Sequence, residues 1–225
     1  MTLLWEEPHG EAITVVPDTV QDLSFTIEAS AVRIDHAEAL YQAVVSHLPW
    51  FADTPNCALH LIHGGESGNG WQRPDGDDAV IQLSRRTRLR LRLPKERLAD
   101  ARVLEGKTLS LDGYPVQVGT ASERPLALTS ALYSRHVVDV HDDEPLFLQQ
   151  AIAQLQGLGL RIVKIVAGRA HRLQIGNERL TTRSLFIADM RLEDAILLQQ
   201  QGLGCHQRRG CGIFIPHKTP YSISR

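Results

Sequence analysis

A glycine-rich segment with two adjacent arginines is the part of this sequence best suited to bind an anion. It spans residues 202–212, reads GLGCHQRRGCG, and its candidate binding residues are Gly202, Gly204, Arg208, Arg209, Gly210 and Gly212. Glycine allows backbone conformations that a Cβ forbids and lets another chain approach closely. Guanidinium groups beside such a turn can fork onto phosphate oxygens. The segment therefore predicts a cradle for a polyanion, and the spacing leaves open a helix C-cap followed by a tight turn.

A dinucleotide-binding loop is disfavoured at this position. Such a loop follows a strand and opens a helix, whereas this segment follows a helical pattern and precedes the strand-like run GIFIPHK. Lys218 ends that run, and no acidic residue occurs after Asp194. The C-terminal part is therefore locally basic, and Lys218 joins the candidate anion-binding set.

A second basic segment alternates arginine with leucine. Residues 86–94 read RTRLRLRLP, so that strand geometry places the arginines on one face and the leucines on the other. No acidic residue lies between Ala79 and Lys95, although a face charged only for solubility would carry both signs. We expect this segment to grip phosphates or enter a nucleic-acid groove through Arg85, Arg86, Arg88, Arg90 and Arg92. A solvated sheet edge is the alternative. Trp71 closes the glycine-rich loop 64–71 and could stack on a nucleobase or lie beneath its loop.

Composition bounds the class of protein. The chain has 225 residues, room for one large domain or two of about 100 residues each. Its net charge of −2 excludes a uniformly basic nucleic-acid binder, but the charge is segregated, because no Lys or Arg precedes Arg33. Apolar runs stay well below the about 20 residues of a membrane span, and the N-terminus lacks a signal-peptide pattern. We expect no membrane partner and a cytoplasmic location.

The cysteines and histidines do not form a metal-binding pattern. Cys57, Cys205 and Cys211 make neither a disulfide framework nor a CxxC pair, which favours reduced thiols. Cys205, His206, Cys211 and His217 lie close in sequence, and His60 and His63 are three apart, but structural zinc prefers paired ligands at other spacings. We predict no metal and no cofactor.

Hydrophobic periodicity predicts the order strand, helix, strand, strand, helix, strand in each half of the chain. The first half gives a strand over 22–33, a helix over 35–48 capped by Asp35, strands over 58–63 and 79–93, a helix over 94–104 and a strand or hairpin over 108–118. The second half gives strands over 131–140, 160–166 and 172–189, helices over 143–156 and 192–201, and a last strand over 211–218. This is the order of the ferredoxin-like unit. We therefore predict an α+β fold of two tandem ferredoxin-like (RRM-like) domains, with an arm at 1–20, domains at 21–125 and 126–225, and the C-terminal glycine-rich loop at 202–212.

Several of these motifs carry a resemblance to a known family. GLGCHQRRGCG matches the pattern G-φ-G-x5-G-φ-G, with basic residues in x5, that precedes the last strand of the second ferredoxin-like unit in the CRISPR-associated repeat-processing endoribonucleases, the Cas6 family. SGNGW (67–71), LSRRTRLRLRLPKERL (83–98) and GCGIFIPHK (210–218) resemble the Myxan-subtype branch. The resemblance extends from about residue 22 to residue 218.

The resemblance implies CRISPR precursor RNA processing. The expected activity is a metal-independent endoribonuclease that binds the repeat hairpin, cleaves by attack of the 2′-hydroxyl and leaves a 2′,3′-cyclic phosphate. The expected partners are CRISPR repeat RNA, the mature guide RNA and other subunits of a type I interference complex (Cascade). A non-cleaving subunit that anchors the 3′ hairpin of the guide RNA is an alternative. A small metabolic enzyme on the same fold is another, and it predicts no salt-sensitive RNA binding.

Family members commonly carry a catalytic histidine or tyrosine on or near the first helix. The corresponding candidates are His36, Tyr41 and His47. His63, directly before the loop at 64–71, is a further candidate. We favour His36, because the positive end of the helix disfavours its protonation and leaves a neutral imidazole as base. The alternatives are that His36 is only a polar first-turn residue, that His47 borders the core and that Tyr41 packs on it.

Overall fold

The computed structural model describes residues 17–64 and 79–217, which form two main antiparallel sheets. The elements of the first half are β1 (Val20–Glu28), β2 (Ala31–Arg33), α1 (Ala37–His47), β3 (Ala58–His60), β4 (Val80–Gln82), β5 (Arg88–Pro94), α2 (Leu98–Ala101), β6 (Thr108–Leu111) and β7 (Tyr114–Arg124). Those of the second half are β8 (Leu132–Val138), α3 (Glu144–Gly157), β9 (Lys164–Ile175), β10 (Glu178–Ala188), α4 (Leu192–Gln201) and β11 (Ile215–Pro216). None of the described helices is long and apolar enough to cross a membrane.

The first sheet has the strand order β3-β5-β1-β7-β6, and β2 and β4 pair beside it as a short ribbon. The Leu–Arg alternation of β5 divides its side chains between the two faces, as predicted. Leu89 and Leu91 are fully buried and pack with Leu40 and Val44 of α1 in the first core. Because the side-chain period of a strand is two, the arginines of β5 lie on the face away from that core.

The second sheet has the order β11-β8-β10-β9, with α3 and α4 on one face. Phe147 and Leu198 of these helices pack with Leu185 and Ile187 of β10. In the first half, β1 lies between β5 and β7. In the second half, the first strand, β8, likewise lies between β10 and β11. The two halves therefore share the order of four strands, and the first sheet has a fifth strand, β6, at its edge.

Three local predictions were wrong. Asp35 does not cap α1: its Oδ2 accepts the N–H of Gln174 from β9 at 2.9 Å, and His36 occupies the N-cap position. Residues 160–163 are not strand, because the N–H of Leu160 bonds back to the carbonyl of Leu155 and completes the end of α3. The last strand begins only at Ile215, because residues 211–212 belong to the glycine-rich loop and residues 213–214 are not paired as strand.

Two carboxylates at the start of α1 join the halves of the chain. The Asp35 bond to Gln174 is one contact, and Glu38 Oε2 accepts the N–H of Gly176 at 2.9 Å in the turn between β9 and β10. Burial alone would raise the pKa of Glu38, but hydrogen bonds from Arg209, Gln42 and Gly176 outweigh it and hold that pKa below its usual value. The second half is thus anchored on α1 through charged acceptors.

Candidate functional site

The glycine-rich loop folds back on its own backbone. Gly202 ends α4 with φ 69°, the N–H of Leu203 bonds to the carbonyl of Gly212 at 2.9 Å, and the N–H of Gly212 bonds to the carbonyl of His136 at 2.6 Å. A Cβ on Gly212 would overlap the carbonyl oxygen of Leu203, and one on Gly210 would overlap the side chain of Leu61. The predicted close approach is present, but the groups that approach Gly212 and Gly210 belong to the protein: the carbonyl of Leu203 and the side chain of Leu61. The C-cap alternative holds for Gly202.

The paired arginines of this loop bind the first half of the chain. Arg208 Nη2 donates to the carbonyl of Thr54 at 2.6 Å, and Arg209 Nε donates to Glu38 Oε2 at 2.7 Å. The guanidinium of Arg209 also lies 3.8 Å from the ring centroid of Tyr41. Both arginines line a polar hollow of about 330 Å³ beside α4. These contacts hold the loop against α1, and they make Tyr41 a packing partner, which was the alternative for that residue.

Arg92 does not belong with the predicted RNA-binding arginines. It is 2% exposed; its Nε and Nη2 donate to the two carboxylate oxygens of Asp22 at 2.7 and 3.1 Å. Its Nη1 donates to the carbonyls of Gln199 and Phe214 at 2.8 and 2.9 Å. Alternation in β5 placed Arg92 on the correct face, but the second half of the chain covers that end of the strand. Arg92 joins the two halves.

His36 and His47 lie in different surroundings from those expected. His36 is 2% exposed; its Nδ1 is 2.8 Å from the carbonyl of Arg33, and its Nε2 accepts the N–H of Ile62 at 2.9 Å. Because Nε2 accepts a hydrogen bond, the imidazole is the neutral Nδ1–H tautomer, and both ring nitrogens are used for the backbone. His47 is exposed at the last residue of α1. The geometry gives His36 a structural role.

A basic cleft of about 270 Å³ lies between the two sheets, at the edge of the glycine-rich loop. Gly210 and Ile215 contribute to its wall from the second half of the chain, and none of the described residues that line it is acidic. Its histidines and arginines are His60, His63, His136, Arg86, Arg88, Arg90 and Arg135. The cleft thus brings one predicted catalytic residue together with three predicted RNA-binding arginines.

His63 is the predicted catalytic residue that lies in this cleft. It is half-buried in the loop after β3. Burial, followed by the positive charge of Arg135 and the neighbouring histidines, holds the pKa of His63 well below its usual value of 6.5. The imidazole is therefore neutral at pH 7 and can accept a proton.

Two neighbouring histidines are held by the protein. His136 is buried on β8, where its Nδ1 lies 3.1 Å from Thr182 Oγ1 and its ring is 5.8 Å from that of His171. His60 Nε2 is 3.5 Å from Asp22 Oδ1. Burial lowers the pKa of His60 by more than Asp22 raises it. Both rings border the cleft, so three imidazoles and four guanidinium groups line the same opening.

The described residues contain no group of three or more His, Cys, Asp or Glu side chains arranged to hold a metal ion. Burial raises the pKa of Cys57 to about 11 and that of Cys211 to about 12, so both remain neutral thiols. Metals bind the thiolate form of cysteine. These two buried cysteines therefore have little capacity to act as ligands at neutral pH.

The remaining predicted residues lie beside or outside this cleft. Arg85 is exposed in the turn before β5, and its carbonyl accepts a hydrogen bond from Arg88 Nη1 at 2.8 Å. Gly204 is exposed in the loop, and a Cβ there would meet only Gln154 at 3.8 Å. Trp71 and Lys218 lie outside the described residues.

Comparison with known proteins identifies the family. The family model described as Cas6 Crispr matches residues 21–219. The chain belongs to the Cas6 family. It is 27% identical over 196 residues to the CRISPR-associated endonuclease Cas6 of Myxococcus xanthus (strain DK1622), a match that covers 87% of this chain and 80% of that relative.

Solved structures show that the fold is shared as well. A CRISPR-associated protein Cas6 superposes with a TM-score of 0.60 at 9% identity, over 88% of this chain and 100% of that one. A RAMP protein described as binding different RNA substrates gives a TM-score of 0.60 at 12% identity, over 87% of this chain and 98% of that one. This Cas6 chain thus has the mixed α and β fold, built on antiparallel sheets, that its family resemblance implied.

Sequence reasoning missed Arg135 and His136 of the cleft. Strand β8 was predicted, but its Arg-His pair was not considered, although two adjacent large polar residues in a largely apolar strand indicate a partner or an opening beside it. His60 also borders the cleft, although only 12% of its side chain is exposed. The pairing of β8 with the glycine-rich loop, which brings these residues to Gly210, is not visible in either segment alone.

Proposed function

We propose that this Cas6 chain is a metal-independent endoribonuclease of the cytoplasm that binds the CRISPR repeat hairpin and cuts it once per repeat. In this proposal the mature guide RNA stays bound, and the protein remains with it as a subunit of a type I interference complex. We also propose that the two sheets with their helices are two ferredoxin-like domains, at 21–125 and 126–225, preceded by an arm at 1–20. The matching strand orders of the two sheets support that division.

The observation that carries the proposal is the composition of the cleft. A neutral histidine faces an opening whose described charged residues are Arg86, Arg88, Arg90 and Arg135. Phosphates are attracted to such a surface, and no described carboxylate opposes them. Metal-free RNA cleavage needs a held phosphate and a proton acceptor beside it, and the cleft offers both.

The proposed reaction uses the substrate's own 2′-hydroxyl. His63 takes the proton from that hydroxyl, the 2′ oxygen attacks the phosphorus, and the bond from phosphorus to the 5′ oxygen breaks. A second imidazole, that of His136 in its protonated form, gives a proton to the departing 5′ oxygen and becomes neutral. Each such group contributes about 10²–10⁴ in rate, and Arg88, Arg90 and Arg135 offset the charge of the phosphorane.

The test is cleavage of the repeat RNA of the protein's own locus in the presence of EDTA. We expect discrete cleavage that leaves a 2′,3′-cyclic phosphate. His63→Ala should abolish cleavage and retain repeat binding, while His47→Ala, which alters an exposed histidine outside the cleft, should cleave normally. Loss of all cleavage in EDTA with recovery in Mg²⁺ would overturn the proposal.

One observation favours the non-cleaving alternative, a subunit that anchors the guide RNA hairpin. Of the two histidines at the ends of the first helix, His36 is committed to backbone contacts and His47 does not line the cleft. Binding of the repeat without cutting, in EDTA and in Mg²⁺ alike, would select that alternative.

A further inference from the structure

The open face of the second sheet carries a row of apolar and aromatic side chains. Tyr133 of β8 pairs with Phe186 of β10 on one side and with Ile215 of β11 on the other, and Phe186 pairs with Val166 of β9. Residues directly opposite each other in an antiparallel pair project to the same face. We call Tyr133, Phe186, Val166 and the adjoining ring of His217 the aromatic platform.

The platform faces away from the second core. The neighbouring residues in the same strands, Leu132 and Ile187, pair with each other and belong to the core under α3 and α4. Alternation therefore directs Tyr133 and Phe186 to the side without helices. Val166 is 57% exposed there, and Tyr133 and Phe186 are half-buried.

The rings contact one another and a cation. His217 is exposed, and its ring centroid lies 4.8 Å from that of Phe186 and 5.9 Å from that of Tyr133. The guanidinium of Arg135 lies 5.9 Å from the centroid of the Tyr133 ring. The three long strands β8, β9 and β10 carry six Lys or Arg residues and one Glu. Lys164 and Arg183 are paired with Asp189 and Asp139, and the strands remain net basic.

This surface continues into the basic cleft. Arg135 and Ile215 line the cleft, and Tyr133 is two residues from Arg135 on the same face of β8. A chain whose phosphates follow the cleft arginines would therefore reach the rings by continuing along β8. The two surfaces share Arg135 as their junction.

We propose that the aromatic platform stacks the unpaired nucleobases of single-stranded RNA next to the segment held in the cleft. Aromatic rings on a four-stranded sheet are a known means of stacking two or three bases. Every base has a π-face, so the platform should tolerate different sequences. The inference deepens the proposed function and rests on it for the choice of RNA.

The test measures binding of a labelled short uridine homopolymer by fluorescence anisotropy. Tyr133→Ala and Phe186→Ala should each weaken binding about 5- to 100-fold, the effect of losing one stacked base. Tyr133→Phe should bind as the unmodified protein does, because the ring is retained. Tyr114→Ala is the matched control, since Tyr114 is a half-buried tyrosine on β7 of the other sheet.

A second variant avoids loss of packing. Val166→Glu alters an exposed side chain and adds a carboxylate beside the rings, so it should weaken the same binding without unfolding the protein. If Tyr133→Ala and Val166→Glu both fold and both bind the homopolymer normally, the inference is overturned. If Tyr133→Ala alone fails to fold, the binding of Val166→Glu decides.

Cleavage of the repeat is scored separately with the His63→Ala variant. If the platform variants lose homopolymer binding while no form of the protein cuts the repeat, the platform stands and the proposed nuclease fails. If the folded platform variants bind the homopolymer normally and repeat cleavage depends on His63, the nuclease stands and the platform fails.

Discussion

Replacing His36 with alanine should destabilise the protein more than it alters its chemistry. The imidazole bonds to the carbonyl of Arg33 and accepts the N–H of Ile62, and it is 2% exposed. Alanine would leave both backbone groups buried without these partners, at about 1–3 kcal/mol each. We therefore expect a loss of about 2–6 kcal/mol from a free energy of unfolding of the order of 5–15 kcal/mol.

Urea unfolding followed by circular dichroism measures this loss, and repeat cleavage is then assayed well below the transition. His63→Ala is the matched variant, since it changes a half-buried histidine of the cleft and should lower cleavage with a small change in the unfolding midpoint. The reasoning is refuted if His36→Ala unfolds at the midpoint of the unmodified protein yet no longer cuts RNA. That result would return His36 to the role of base.

Three further predictions follow from the contacts of Arg92, Gly212 and His63. Arg92→Met should lower the free energy of unfolding by about 3–5 kcal/mol, because it leaves Asp22 buried without this guanidinium. Arg90→Met, on the exposed part of the same strand face, should change that free energy by less than about 0.5 kcal/mol. Urea unfolding of the two variants checks the difference. Gly212→Ala should destabilise the protein clearly more than Gly204→Ala. Both positions have positive φ, but of the two only Gly212 has backbone atoms where the new Cβ would lie. Equal decreases in the thermal unfolding temperature of the two variants would contradict this reasoning. The folded-state pKa of His63 lies below 6.5. The value of kcat/KM for cleavage should therefore stay constant as the pH falls through 6.5 and should decline only at lower pH. If kcat/KM has already fallen to half its plateau at pH 6.5 or above on this acidic side, His63 is not the base.

The order of elements could be predicted because each element has a strong local pattern. Helix α4 was placed at 192–201, its observed bounds, since an apolar period ends at a glycine. The alternation of β5 correctly separated its leucines from its arginines. Residues 160–163 were assigned to a strand because the apolar run LRIV does not reveal a hydrogen bond back to α3.

The sequence indicated which segments form the candidate site but not which of their side chains face it. The Leu–Arg strand, His63 and the glycine-rich loop do meet at the cleft. The protein contacts of the loop arginines could not be predicted, because their acceptors, Thr54 and Glu38, are distant in sequence. Arg92 and Arg90 have the same local pattern, and only the packing of the second half against the first distinguishes a buried ion pair from an exposed cation. Contacts of this range are set by tertiary structure and have no local signature.

The hydrogen bonds of Arg92 join parts of the chain that are synthesised at different times. Asp22 and Arg92 are both available once the first sheet has been synthesised, but the other two acceptors of the guanidinium are the carbonyls of Gln199 and Phe214. Domains fold from the N-terminal side while the ribosome still extends the chain. A first sheet that folds during synthesis would therefore lack these two acceptors of Arg92 Nη1 until Gln199 and Phe214 have been made. Newly made chains stopped before these residues would expose this cationic surface, which the finished protein conceals.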